Sequence, residues 1–192
     1  KKAINMLQQW RCSVRNRPLA FSTKPMSPYI TETYANALTP LSKEDGRLIN
    51  MGTFTLKGRG AIKGIAEGEA VVCPDSIAGN SGALGDVDGV IYEKGNINYG
   101  VSIKNKIIVI PCAKGSNGFS AHFKGAYIAG VRPAGWVSTK VDARLGVALA
   151  SMNIPAVVDF EKEDPIQYIK TGDWVKINGS TGEVEITPRL KD

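Results

Sequence analysis

The sequence predicts an α/β domain in which a β-rich sheet or barrel is flanked by about two helices. Three observations support this prediction: many short β-branched runs, Gly and Asn turns between them, and only two segments with helical spacing of apolar residues. The chain has 192 residues, of which 43% are hydrophobic and 22% are charged. It is therefore long enough for one ordinary domain with a real core.

The predicted strands are short runs rich in Val, Ile, Thr and aromatic residues, each bounded by turn-forming residues. They are Thr53–Lys57, Ala70–Cys73, Val90–Tyr92, Ile107–Ile110, Gly135–Ser138, Ala156–Asp159, Trp174–Ile177 and Glu183–Ile186. The folded domain is accordingly predicted to occupy residues 53–190.

Two segments have the apolar spacing of helices. The first is Phe119–Ala129, which Gly130 is expected to end. The second is Asp142–Ser151, with Asn153 near its end. Because both helices lie between the later strands, they are expected to flank the sheet.

The net charge of +6 comes entirely from the beginning of the chain. Residues 1–25 contain six basic residues and no Asp or Glu, and the basic residues outside this segment equal the 18 acidic ones in number. The remainder is therefore neutral, which argues against a nucleic-acid partner, since that needs a basic surface on the folded domain. No apolar run approaches the roughly 18 to 20 residues needed to cross a bilayer, so no membrane association is expected.

The basic segment also has apolar residues at helical spacing, the pattern of a mitochondrial presequence. We therefore interpret residues 1–25 as a leader that directs the protein to the mitochondrial matrix. A plain basic tail on a cytoplasmic protein is the alternative. Residues 26–52, which contain Pro28 and Pro40 among mixed polar residues, are predicted to form a linker or a surface wrap.

Metal-binding patterns are missing from the sequence. The three cysteines lie far apart and His122 is the only histidine, so no metal site is predicted in this chain. Cys112 is predicted to be a small core residue, and Asp86 and Asp88 are predicted to be solvated turn residues. His122 is expected on a helix surface or at an interface. It lies six residues after Ser116, a spacing that does not place it over that hydroxyl.

The most informative segment is 107–123, where an apolar run ends at Pro111 and a glycine-bearing turn leads into a helix. Such a turn gathers backbone N–H groups and the positive end of a helix dipole in one small volume. Ser116 lies there beside Lys114. Its hydroxyl could hold an anionic substrate or lose its proton more readily than in water. Plain helix capping is the competing interpretation, because Ser is a common capping residue.

Several motifs resemble the swivel domain, or small subunit, of aconitase X-type dehydratases. They are Lys57-Gly-Arg-Gly60, Gly64-Ile-Ala-Glu-Gly-Glu-Ala70, Asp86 to Ile91, Ile107-Ile-Val-Ile-Pro111, Lys114-Gly-Ser116 and Asn153-Ile-Pro-Ala-Val157. The resemblance spans about Leu56 to Val158 and implies a swivelling β/β/α domain. The Lys114-Gly-Ser116 turn is its most specific part. The sequence differs from the family pattern at Gly85–Gly89 and at Gly95-Asn96.

The resemblance implies an enzyme subunit, a hydro-lyase that works only with a large subunit. Ser116 would be the catalytic base that takes the α-proton of a small hydroxy acid, and Lys114, Gly115 and Asn117 would bind the substrate. The large subunit would hold iron or an iron–sulfur cluster. Family substrates include cis-3-hydroxy-L-proline and phosphomevalonate. The leader favours the first, since amino-acid breakdown suits mitochondria, and phosphomevalonate is the alternative.

A second resemblance is to the phosphohistidine swivel domain of phosphoenolpyruvate-using enzymes. It rests on Gly64–Ala70, on Leu145–Val158 and on the segment from Thr171 to Val184. The phosphorylated histidine of that domain would fall where this chain has Val141–Arg144. This resemblance therefore implies a shared architecture, and it keeps open a swivel or interaction module without chemistry of its own.

Overall fold

A computed structural model describes residues 52–189 of the chain. These residues form eight strands and three helices. The strands are β1 (Phe54–Lys57), β2 (Arg59–Ile62), β3 (Ile65–Val72), β4 (Ile107–Ile110), β5 (Gly135–Ser138), β6 (Ala156–Val158), β7 (Trp174–Asn178) and β8 (Glu183–Thr187). The helices are α1 (Gly118–Ile128), α2 (Ala143–Met152) and α3 (Pro165–Tyr168).

All eight strands belong to one mixed sheet with the order β1-β8-β7-β3-β4-β5-β6-β2. Strands β3 to β6 pair in parallel, and we call them the parallel half. Strands β1, β8 and β7 pair antiparallel, and we call them the antiparallel half. This mixed sheet with flanking helices confirms the predicted fold class.

The sheet bends round towards closure. Strands β1 and β2 are separated only by Gly58, yet they lie at opposite edges of the sheet. Backbone hydrogen bonds link this region to the β7–β8 turn: Gly58 N–H donates to Gly182 O over 2.9 Å, and Gly179 N–H donates to Gly64 O over 2.8 Å. The result is the barrel-like arrangement that the sequence pattern allowed.

The core has two layers, one on each face of the sheet. Along β4, Ile108 and Ile110 pack with the aromatic side chains of α1, while Ile107 and Val109 pack with the antiparallel half. Every residue of β4 is buried, as expected for a parallel strand covered on both faces. In β7 and β8 the buried residues alternate with exposed or partly exposed ones, so only one face of each is covered.

Side chains fix the start and end of α2. Asp142 accepts a hydrogen bond from Leu145 N–H over 2.9 Å at the N-terminus, and Asn153 adopts the left-handed conformation, with φ 51°, at the C-terminus. Helix α1 begins at Asn117 without a hydrogen bond from that side chain. The predicted helices agree with α1 and α2 to within one residue at each end.

Some sequence predictions need correction. The predicted strand Val90–Tyr92 is present only as isolated bridges, between Val90 and Ser102 and between Leu84 and Ile91. Strand β2, the first part of β3 and the short helix α3 were not predicted. Among the described residues, no helix is long and apolar enough to span a bilayer. The predicted leader (1–25) and all of the predicted linker except Gly52 lie outside the described residues.

Candidate active site

The candidate site lies at the carboxyl ends of the parallel strands, where loops from neighbouring strands meet. Ligands of open α/β sheets commonly bind at this edge. The turn after β4 carries Ser116, and the loop after β3 passes beside it. Ala78 forms an isolated parallel bridge with Lys114, and Gly79 N–H donates to Lys114 O over 2.8 Å. The two loops are therefore fixed to each other by their backbones.

Ser116 is held by two hydrogen bonds. Its Oγ donates to Gly79 O over 2.5 Å and accepts from Gly118 N–H over 3.2 Å. The second bond satisfies one of the free N–H groups at the start of α1, so the capping role is real. The residue as a whole is nevertheless exposed, so capping does not bury it in the core. Capping and reactivity are thus compatible at this position.

Three glycines let the backbone approach Ser116 closely. A Cβ on Gly79 would lie 2.5 Å from Ser116 O, and a Cβ on Gly118 would lie 2.5 Å from Gly79 O. Gly115 has φ +81°, a conformation that side chains disfavour. Close contacts at Gly79 and Gly118 and the backbone conformation of Gly115 therefore explain why glycine occupies these positions, which the sequence pattern alone did not.

Lys114 is paired with a carboxylate. Its Nζ lies 2.6 Å from Glu93 Oε1, and Glu93 also accepts hydrogen bonds from Ala78 N–H and Asn96 Nδ2. Burial raises the pKa of Glu93, but these hydrogen bonds together outweigh it and hold the pKa below its usual value. Lys114 was expected to supply positive charge to Ser116. In this arrangement much of its charge is compensated by Glu93.

A second cation, which sequence reasoning missed, contacts the turn. Arg144, in the first turn of α2, donates from Nη1 to Gly115 O and from Nη2 to Asp142 Oδ2, the latter over 2.7 Å. It occupies the segment where the phosphohistidine domain would carry its histidine. The guanidinium therefore contacts the backbone of the Lys114-Gly-Ser116 turn, although Asp142 compensates part of its charge.

His122 and Asp86 also lie near the turn. His122 Nδ1 is 2.8 Å from Asp86 Oδ1, and the imidazole is only 17% exposed. A Cβ placed on Gly118 would lie 3.2 Å from Ser116 Oγ and 3.4 Å from His122 Nε2. The spacing of six residues did not place His122 over the Ser116 hydroxyl, and no hydrogen bond joins the two side chains here. Both nevertheless border the Cβ position of Gly118, because helical side chains point towards the N-terminus and Gly118 has none to intervene.

The family model for the aconitase X swivel domain matches residues 55–186. The chain belongs to this family. The small subunit of phosphomevalonate dehydratase from Methanocella arvoryzae is 33% identical over 135 residues, which cover 69% of this chain and 98% of that one. The Methanosarcina mazei small subunit of the same name is 34% identical over 139 residues, covering 68% and 89%.

A solved structure agrees with the fold of this aconitase X swivel domain. The crystal structure of Thermococcus kodakaraensis aconitase X, described as the holo-form, superposes with a TM-score of 0.64 and 27% identity. The match covers 70% of this chain and 98% of that one. Both curated small subunits are named for phosphomevalonate dehydratase.

The cysteines of this swivel domain are buried. Burial raises the pKa of the Cys73 thiol to about 11, so that group is protonated at neutral pH, and Cys112 is in the core. Among residues 52–189, no group of three or more His, Cys, Asp or Glu side chains is arranged to hold a metal ion. The predicted substrate ligand Asn117 makes no capping hydrogen bond with its side chain. Its role, like those of Lys114 and Gly115, stays a prediction.

Proposed function

We propose that the chain is the small subunit of a hydro-lyase that removes water from phosphomevalonate, and that it acts together with an aconitase X-type large subunit. The observation that carries this proposal is the Ser116 turn, lying at the carboxyl edge of the parallel strands inside a matched aconitase X swivel domain. The names of the archaeal small subunits support phosphomevalonate as the substrate.

In the proposed reaction Ser116 acts as the base. Its Oγ takes the proton from the carbon beside the substrate carboxylate, the C–H electron pair becomes the new double bond, and hydroxide leaves the neighbouring carbon. A serine hydroxyl is too weak an acid to ionise unaided, so the alkoxide needs donors and positive charge nearby. Gly118 N–H, which already donates to Ser116 Oγ, is suited to that task, and the Arg144 guanidinium lies nearby against Gly115 O of the same turn.

We further propose that the large subunit holds an iron or iron–sulfur group, as the resemblance to aconitase X-type dehydratases implies. Such a group would polarise the departing hydroxyl. This chain would contribute Ser116 and the backbone turn around it. Lys114, Gly115 and Asn117 would contact the substrate, whose carboxylate and phosphate suit a turn rich in N–H groups.

A second candidate substrate is cis-3-hydroxy-L-proline. The observation that favours it is the acid-free basic segment 1–25, which has the composition of a mitochondrial presequence. Import of a fluorescent fusion of residues 1–52 into mitochondria would support that location. A diffuse cytoplasmic signal would contradict it and would leave phosphomevalonate as the better substrate.

The test is co-expression with an aconitase X-type large subunit, followed by dehydration assays on both compounds. We expect turnover of phosphomevalonate, and a fall in kcat of roughly 100- to 10,000-fold for Ser116→Ala, the range typical of a lost general base. Ser120→Ala is the matched control, because its hydroxyl lies on the next turn and bonds only Asn117 O.

Two outcomes would contradict the proposal. Undiminished turnover by Ser116→Ala would exclude the serine as the base. A folded wild-type complex that dehydrates neither compound would favour the alternative, a swivel or interaction module without chemistry of its own.

A further inference from the structure

The imidazole of His122 lies in a space that two glycines leave open. Gly118, His122 and Gly125 are spaced four and three residues apart, so they share one face of α1. A Cβ on Gly125 would lie 3.1 Å from Asp86 Cβ. The glycine therefore gives the Asp86 loop room to approach the helix. Glycine in a helix interior is destabilising relative to alanine, so this opening has a structural cost.

Asp86 determines how the imidazole is protonated. Its carboxylate lies 2.8 Å from Nδ1 and can only accept a hydrogen bond, so Nδ1 carries the proton. The neutral ring then presents the lone pair of Nε2 on its other side. That nitrogen lies 3.4 Å from the Cβ position of Gly118, and Ser116 Oγ lies 3.2 Å from the same position. The imidazole that Asp86 holds and the Ser116 hydroxyl therefore border one small space.

We propose that His122 is the proton acceptor that activates Ser116, and that Asp86 is the positioning residue that keeps Nε2 free for this step. The inference rests on the proposed function, since it assigns a partner to the base of that reaction. The Ser116 hydroxyl, which donates to Gly79 O at rest, turns towards Nε2. Both atoms lie within 3.4 Å of one point, the Cβ position of Gly118, so no side chain at that position separates them.

The proton balance closes over one turnover. His122 Nε2 takes the proton from Ser116 Oγ, the O–H electron pair stays on oxygen, and the imidazolium is stabilised by Asp86. Ser116 then takes the α-proton of the substrate, which restores its hydroxyl. The imidazolium gives its proton to the hydroxide that leaves the substrate, and water departs. Both side chains return to their starting state without any further reactant.

The first test needs no substrate. Because His122 is the only histidine in the chain, ¹⁵N spectra of the imidazole in the full-length protein report on this one ring. We expect the neutral ring to carry its proton on Nδ1, the reverse of the preference of histidine in water. Asp86→Ala should abolish that preference. Asp88→Ala is the matched control, because this carboxylate of the same loop bonds Tyr92.

Two results of the spectra would overturn the proposal. The first is a wild-type ring protonated on Nε2, which would leave no lone pair facing the serine. The second is an Nε2 resonance that does not move in Ser116→Ala, since the two atoms would then not be in contact. Both results are independent of which substrate the complex dehydrates.

The second test uses the complex with the large subunit. We expect His122→Gln to lower kcat about 100-fold with little change in KM, since the glutamine keeps polarity but accepts no proton. Imidazole added to His122→Ala should restore part of the lost rate. Wild-type kcat in either variant would overturn the role of His122 while leaving Ser116 as the base. An inactive wild-type complex would instead count against the proposed function.

Discussion

The two halves of the sheet differ in what lies at their ends. The parallel half ends in loops that carry Ser116, Glu93 and Asp86, and Arg144 contacts the turn that contains Ser116. Glycines allow the backbones of these loops to approach one another closely. The antiparallel half ends in a short turn between β7 and β8 and has alternating exposed residues. Under the proposed function, the parallel half would carry the chemistry and the antiparallel half would contribute stability.

Among the variants that compare the two halves, Gly79→Ala is expected to have the largest effect, because it tests the tight backbone contact at the site. The new methyl carbon would lie 2.5 Å from Ser116 O and 2.6 Å from Phe119 N, so the turn must move. We expect kcat of the complex to fall roughly 100-fold, the scale of a displacement of about 1 Å at a reacting group. Dehydration kinetics measure it.

Gly146→Ala serves as its control. This glycine lies in α2, and a Cβ there would meet only Val141 Cγ2, at 3.9 Å. We expect unchanged turnover and a slightly higher unfolding temperature, because alanine favours the helix. Equal losses of activity in the two variants would contradict a special role for the Gly79 contact.

Ile186→Ala is expected to destabilise the antiparallel half of the sheet without changing the site around Ser116. Ile186 is fully buried on β8 and packs in the second layer of the core. We expect a loss of about 2 to 5 kcal/mol in the free energy of unfolding, as for other buried isoleucines. Urea denaturation measures that loss. Turnover per folded molecule should be unchanged, and a specific loss of activity would show that the halves are not separate in function.

Glu93→Gln tests the ion pair of the parallel half. The pKa of Glu93 is lowered, because its hydrogen bonds outweigh burial, so the carboxylate stabilises the fold above its unfolded pKa. That contribution is lost as the pH falls through the folded pKa. We expect the variant to be about 1 to 3 kcal/mol less stable at neutral pH. The difference in the free energy of unfolding between wild type and variant should decrease in acid. A difference that stays constant with pH, measured by urea denaturation, would argue against an ionised pair.

Lys57→Met should have the smallest effect. The Lys57–Glu183 pair joins β1 to β8 over 3.4 Å, and its side chains are 63% and 52% exposed. Water and salt screen such a pair, so we expect no measurable change in the urea midpoint. A clear loss of stability would mean that the Lys57–Glu183 pair stabilises the antiparallel edge as much as the Lys114–Glu93 pair stabilises the site.

The fold was largely predictable because its strongest signals are local. The run Ile107–Ile110 gave β4 with the bounds that the structure has, and α2 was recognisable from its apolar spacing and from Asn153. Strand β2 was missed because Arg59–Ile62 has no apolar alternation and pairs with residues almost a hundred positions away. The first part of β3 was missed because it contains two glutamates and a glycine, and its partner strand β7 lies more than a hundred positions away.

The site was only partly predictable, because only some of its residues lie close together in the sequence. The Ser116 turn is a local motif, and the sequence indicated it. Glu93 is 21 residues from Lys114, and Asp86 is 36 residues from His122, so no local pattern joins them. The seven-residue spacing of Gly118 and Gly125 around His122 was the one local signal available. Glycines on both sides of a histidine along one helix face could have indicated that neighbouring groups can approach the imidazole.

The pairing of β1 with β8 has a consequence for synthesis of the protein. Lys57 and Glu183 are 126 positions apart. The first strand of the described domain therefore cannot pair until the last strand has been synthesised. While the chain emerges from the ribosome, the parallel strands and their helices can already associate, but β1 has no partner. We therefore expect a chain that stops before β8 to expose unpaired strand edges and to aggregate, even though every residue of the Ser116 turn has been made.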